Sequence, residues 1–201
     1  MNAGIAAEAA GLFALTNVDD ILVLSLFFGR SAGQQGAARR IVAGQYLGFA
    51  ALLVITIAAS YGATFLPGSA VPYLGVLPLA LGLRAAWQAW TGHRHGGSGG
   101  RQREGNHDDP KTLQVATVTF ANGGDNIAVY LPVFTKAGTA GITVYTAVFL
   151  VLVGVWCAAG WFVATRPAIA RVISRWGHIL HPLALIGLGL FILIQGGAFG
   201  L

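Results

Sequence analysis

A chain of 201 residues that is 55% hydrophobic and only 9% charged departs from the ~25% charged residues of a soluble domain and reads as a polytopic membrane protein. Its formal charge of +5 does not make it a nucleic-acid binder, because nearly all the basic residues fall in loops between apolar segments, a membrane topology pattern. The single cysteine, Cys157, excludes an intrachain disulfide and a thiolate cage for a soft metal, and no G-x-x-x-x-G-K-[ST] loop is present to hydrolyse nucleotide.

Six apolar spans follow in chain order, at residues 3–28, 41–66, 71–91, 112–135, 140–165 and 178–200, each near the ~20 residues that a membrane helix needs. No basic residue precedes Arg30, so no cleavable signal peptide is expected and Met1 is expected to begin the mature protein. The second and fifth spans carry no charge. The third carries Pro78 and Arg84, and a five-span reading would omit it. Between the halves, residues 92–111 are Gly-rich and basic, the composition of a flexible linker. Asp109-Pro110 ends it as a cap followed by a first-turn proline, and Asp108 belongs to the same cap. His93, His95 and His107 in this stretch read as solvated linker, with transient metal binding as the alternative.

Loop charge sets the orientation. The first, third and fifth loops hold Arg30, Arg39 and Arg40; Arg94, Arg101, Arg103 and Lys111; and Arg166, Arg171 and Arg175. The opposite side has Lys136. The odd loops are therefore expected in the cytoplasm and both termini outside it.

Two polar patches interrupt the apolar spans: Thr16-Asn17-Val18-Asp19-Asp20 and Ala121-Asn122-Gly123-Gly124-Asp125-Asn126. Setting Asn17 against Asn122 also sets Asp20 against Asp125, and Pro78-Leu79-Ala80-Leu81 echoes Pro182-Leu183-Ala184-Leu185. Two three-span units in tandem must lie in opposite orientations. The expected fold is an all-α membrane protein of six transmembrane helices in two inverted three-helix repeats, residues 1–91 and 112–201, joined by a cytoplasmic linker at 92–111.

Three aspartates at membrane depth oppose insertion by about 8–10 kcal/mol, while each neighbouring Leu or Ile returns only ~0.3–0.6 kcal/mol. Asn17 and Thr16 share a helical face with Asp20, and Asn122 with Asp125 and Asn126. Asp19 points about 100° away from Asp20, toward a different partner or a vestibule. Gly123-Gly124 weakens the fourth helix where its polar residues begin, and Pro132 is expected to perturb it further on. Carboxylate, amide and freed backbone oxygens converging at one depth suit a divalent cation. The plain alternative is a hydrogen-bond network that joins helices, which serine or asparagine would provide without the aspartate insertion cost.

Other features read more simply. Gly44 and Gly48 form a small-xxx-small packing pair. Arg84 is placed to snorkel, with pairing to Asp19 or Asp20 as the alternative. His178 and His181 read as interfacial, and Cys157 as a packed apolar residue rather than a soft-metal contact.

At Asn17-Val18-Asp19-Asp20-Ile21-Leu22-Val23-Leu24, Phe27-Phe28, Phe120-Ala121-Asn122-Gly123-Gly124-Asp125-Asn126-Ile127-Ala128-Val129-Tyr130-Leu131-Pro132 and Leu81-Gly82-Leu83-Arg84-Ala85, the chain resembles the CadD family of bacterial cadmium-resistance transporters, within the lysine-exporter superfamily. The resemblance covers essentially the whole chain. It implies efflux of cadmium, with zinc as a further candidate ion, across the bacterial cytoplasmic membrane, with Asn17, Asp19, Asp20, Asn122, Asp125 and Asn126 as the matched polar positions. Oxygen donors do not by themselves favour a soft ion, so manganese, zinc and other divalent ions stay open.

The expected function is that of a secondary transporter, not an enzyme, exporting a divalent metal as its substrate and using no resident cofactor. Asp20 and Asp125 would be facing central ligands, Asp19 an accessory ligand or proton carrier, and Asn17, Asn122 and Asn126 neutral oxygen donors. Thr16, Gly123 and Gly124 would line the path. Buried clustered carboxylates exchange cation for protons, so proton antiport is expected from the same residues. The rivals are a basic amino-acid exporter of the same superfamily and an intramembrane aspartyl protease. Such proteases typically carry Gly-x-Gly-Asp, whereas Asn122 stands where the first glycine belongs.

Overall fold

The computed structural model describes residues 2–65, 67–92, 111–166 and 182–194, and every regular element among them is helical. In chain order these are α1 (Asn2–Thr16), α2 (Val18–Arg30), α3 (Ala37–Ala63), a 3-10 segment (Gly68–Gly75), α4 (Val76–Gly92), α5 (Thr112–Asn122) and α6 (Gly124–Ala164), then α7 (Pro182–Ile194). Helices α3 and α6 are long and apolar enough to cross a membrane, and α1 with α2 qualifies as one span bent by 60°. The expected linker histidines, with Asp108 and Asp109, lie outside the described residues, as do His178 and His181.

Local chemistry explains where the elements depart from simple spans. Helix α3 begins after Gly36, whose φ of 75° turns the chain from the preceding loop. The third expected span opens as a 3-10 segment containing Pro72 rather than as α-helix. Pro78 then falls in the first turn of α4, where a missing N–H costs no helical hydrogen bond.

Helix α6 is a hairpin. Gly138 has φ 65° and ψ 178°, a conformation that breaks the helix and favours glycine. Tyr130 and Phe149 would stand about 28 Å apart on a straight helix, yet their ring centroids are 4.8 Å apart. Phe134 and Tyr145 are likewise 5.7 Å apart. The two arms therefore run antiparallel, with the turn between the expected fourth and fifth spans. Pro132 sits inside the first arm, and the non-helical backbone is at Gly138 instead.

Glycines bring the other helices together. A Cβ on Gly44 would lie 2.6 Å from the Thr112 carbonyl oxygen, and one on Gly48 2.5 Å from that of Ala116. Contacts that rise together in number mean α3 and α5 run parallel, packed through the small-xxx-small pair. Helices α4 and α7 are antiparallel: a Cβ on Gly82 would lie 2.7 Å from the Ile186 nitrogen, and one on Gly189 2.6 Å from the Leu79 nitrogen. A Cβ on Gly160, on the second arm of α6, would lie 2.5 Å from Leu24 Cβ of α2. Inside this cage Phe13 packs against Phe49, Phe149 and Trp156 with centroids 5.1–5.5 Å apart. Cys157 is buried in the same core with a free thiol.

Candidate functional site

Two helix breaks organise the centre of the molecule. At Asn17 (φ −114°, ψ 20°) α1 gives way to α2, and at Gly123 (φ −89°, ψ 15°) α5 gives way to α6. The breaks lie one residue out of register with the Asn17–Asn122 alignment. No glycine or proline marks the first one. Thr16 and Asn17 instead donate back to the carbonyls of Leu12 (3.0 Å) and Phe13 (2.9 Å), a competition that bends helices. The Asn17 carbonyl accepts the indole N–H of Trp156 at 2.6 Å. At Gly123 the break falls on the first of two adjacent glycines, the residue type that least favours a helix after proline, and a Cβ there would stand 2.5 Å from Leu52 Cδ1.

Each break creates a helix N-terminus in the protein interior. Asp19 and Asp20 occupy the first turn of α2, and Asp125 the first turn of α6. Carboxylates in a first turn gain roughly 0.3–1 kcal/mol from the helix dipole, more where partly buried. The breaks thus place acidic side chains where backbone N–H groups favour them.

The polar side chains divide into two groups. The first is neutral and sealed. Asn17, fully buried, donates to the Tyr130 hydroxyl at 2.7 Å and to Thr16 Oγ1 at 2.9 Å. Thr16 and Tyr130 share a hydrogen bond of 2.8 Å. Asn126 Nδ2 donates to Asn17 Oδ1 at 3.0 Å. Asn126 Oδ1 is buried with no hydrogen-bond partner among the described residues.

The second group is acidic. Asp20, buried within the protein, accepts from Gln45 Nε2 at 2.9 Å through Oδ2 and from Asn122 Nδ2 at 2.8 Å through Oδ1. Gln45 is in turn fixed by Thr119, whose hydroxyl donates to Oε1 at 2.6 Å. The same Asn122 nitrogen reaches Asp19 Oδ2 at 3.1 Å. One neutral amide therefore bridges two carboxylates. In front of it lies a cavity of about 350 Å³, lined by Asp19, Asn122, Asp125, Arg84 and Gln88 among others.

Of the expected residues, Asn17, Thr16 and Asn126 form the sealed group, and Asp19, Asp20 and Asn122 the acidic one. Asp125 shares the cavity with Asp19, whereas Asp20 sits behind Asn122 and does not line it. Gly123 supplies the break, and nothing packs within 4 Å of a Cβ on Gly124. Among the described residues no three His, Cys, Asp or Glu side chains cluster as a metal cage, so any cation held here takes amide or backbone oxygens too. Gln45, Thr119 and Trp156 went unremarked in the sequence, and Tyr130 entered only as part of a motif. Gln45 had a signal: it is the single amide in the charge-free second span, between Gly44 and Gly48. Arg84, expected to snorkel or to pair with Asp19 or Asp20, is exposed and lines the same cavity as Asp19 and Asp125.

The sequence model of the cadmium resistance transporter family matches residues 13–201. The chain belongs to that family. Both helix breaks and every residue of the two polar groups fall inside the match. No curated protein and no solved structure matches the chain. Membership in a cadmium resistance transporter family makes this a membrane transporter concerned with metal-ion export rather than an enzyme, and its long apolar helices agree.

Proposed function

We propose that this transporter exports a divalent metal ion in exchange for protons, and that Asp19, Asp20 and Asp125 receive the ion together with amide oxygens of Asn122, Asn126 and Asn17. The observation that carries the reading is the Asn122 amide lying between Asp19 and Asp20. A neutral N–H₂ group stands where two carboxylates call for positive charge, and Asp125 opens on the same cavity. Rotation of that amide turns its oxygen toward an incoming cation, converting a donor into a ligand. The unpartnered Asn126 Oδ1 is a further acceptor at the same break. All these donors are oxygens, so the chemistry defines a divalent cation, and cadmium follows from the family.

Helix directions support six-span threading. Parallel α3 and α5, antiparallel α4 and α7, and the antiparallel arms of α6 are what alternating spans at 3–28, 41–66, 71–91, 112–135, 140–165 and 178–200 require. The inverted repeats would then be residues 1–91 and 112–201, with the acidic group at their junction. Loop charge puts the linker at 92–111 in the cytoplasm and the termini outside. Metal entering from the cytoplasm takes the carboxylates and releases their protons; protons from outside reverse the exchange. The linked step is testable in inverted membrane vesicles. Radiolabelled cadmium uptake driven by an imposed pH gradient is expected in the wild type and lost in Asp125→Asn and Asp20→Asn. Full uptake by Asp125→Asn would refute the assignment, and uptake of lysine in place of cadmium would favour the amino-acid exporter.

A further inference from the structure

We infer that Arg84 is a tethered rival of the substrate: its guanidinium occupies the Asp19–Asp125 cavity between transport cycles, and a doubly charged cation is needed to displace it. This rests on the reading that Asp19 and Asp125 receive the metal.

Arg84 lines the same cavity of about 350 Å³ as both carboxylates, with Gln88 one helical turn along on the same face. The helix that carries it is fixed in place. Gly82, two residues before Arg84, lies so close to α7 that a Cβ on it would stand 2.7 Å from the Ile186 backbone nitrogen, and Leu185 beside that residue forms part of the cavity wall. The backbone is thus anchored while the long side chain, which is exposed, keeps room to move within the opening. A guanidinium stays ionised at every relevant pH and offers five N–H donors to carboxylate oxygens.

Two consequences follow from this arrangement. Between release of the metal and arrival of protons, the carboxylates keep a positive charge beside them, so no bare acid is exposed in that interval. An alkali cation brings the same single charge as the guanidinium without its fork of hydrogen bonds, and so gains little by exchange. A divalent cation brings twice the charge and wins. Discrimination between ion valences then resides in α4, away from the residues that coordinate the ion.

The test uses full-length purified protein, with cadmium affinity measured by titration calorimetry with and without sodium chloride against a choline chloride control. Wild type is expected to bind cadmium with the same affinity in sodium and in choline. Arg84→Gln and Arg84→Met, two neutral replacements of an exposed side chain, are expected to bind cadmium at least about tenfold more tightly and to become sensitive to sodium. Their turnover in proteoliposomes should fall, because nothing helps expel the ion. Arg84→Lys keeps a charge and should keep sodium indifference. Unchanged affinity and sodium indifference in both neutral variants would overturn the inference while leaving the metal site intact. Wild-type binding by Asp125→Asn would instead overturn the site, and the inference with it.

Discussion

Trp156 donates its indole N–H to the backbone carbonyl of Asn17 across 2.6 Å, tying the second arm of α6 to the point where α1 and α2 part. The bond satisfies a carbonyl on a fully buried residue at the break itself. Trp156→Phe keeps most of the ring packing against Phe13 and removes that donor. A buried acceptor left unpaired costs about 1–3 kcal/mol. The variant is expected to unfold at lower temperature in detergent, and an unchanged midpoint would show that the bond carries no weight.

Asn122 holds Asp19 and Asp20 at 3.1 and 2.8 Å from one nitrogen. Asn122→Ala leaves two neighbouring acids with no group between them and deletes an oxygen ligand. Cadmium uptake into inverted vesicles is expected to drop by at least about tenfold, the scale of one lost charge-assisted contact. Thr119→Val, which only removes the donor to Gln45 Oε1, should fall less. Equal loss in both variants would argue against a direct role for Asn122.

Helix approach at α3 and α5 is equally open to test. Gly48→Ala drives a methyl to 2.5 Å from a backbone carbonyl oxygen, whereas Gly124→Ala meets nothing within 4 Å. The first is expected to cost about 1–3 kcal/mol, the range of overpacked cores, and the second close to nothing. Thermal unfolding of the pair decides it. Comparable midpoints would mean that α3 and α5 separate more easily than their contacts imply.

Orientation can be read with thiol chemistry. Cys157 is only 4% exposed, so intact cells bearing the wild-type chain should take up little membrane-impermeant maleimide. Lys136→Cys, exposed and close to the α6 turn, should label from outside the cell. Labelling only after the membrane is opened would reverse the proposed topology.

Much of this architecture was written in the chain at the level of single spans. The charge-free stretches announced α3 and the second arm of α6, and Gly123-Gly124 announced the break that separates α5 from α6. The break at Asn17 was hidden, because neither neighbour is a helix breaker. It depends on Tyr130 and Trp156, which lie more than a hundred positions away. The acids were visible as costly groups in apolar surroundings, but their arrangement was not. Asp19 and Asp20 are adjacent in sequence, yet one opens on a cavity and the other is clasped by Gln45. Arg84 is a related case: its place near a span end suggests the headgroups, and only the fold shows that α4 brings it to the cavity of Asp19 and Asp125.

The first arm of α6 runs between two hollows. Asp125 at one end borders the acidic cavity, and Pro132, Val133, Lys136 and Ala137 toward the other border a second of about 450 Å³ shared with Glu8 and Tyr145. An arm of this length spans roughly 20 Å and forms a common partition between the two chambers. A tilt of this arm would therefore move a wall of both hollows at once.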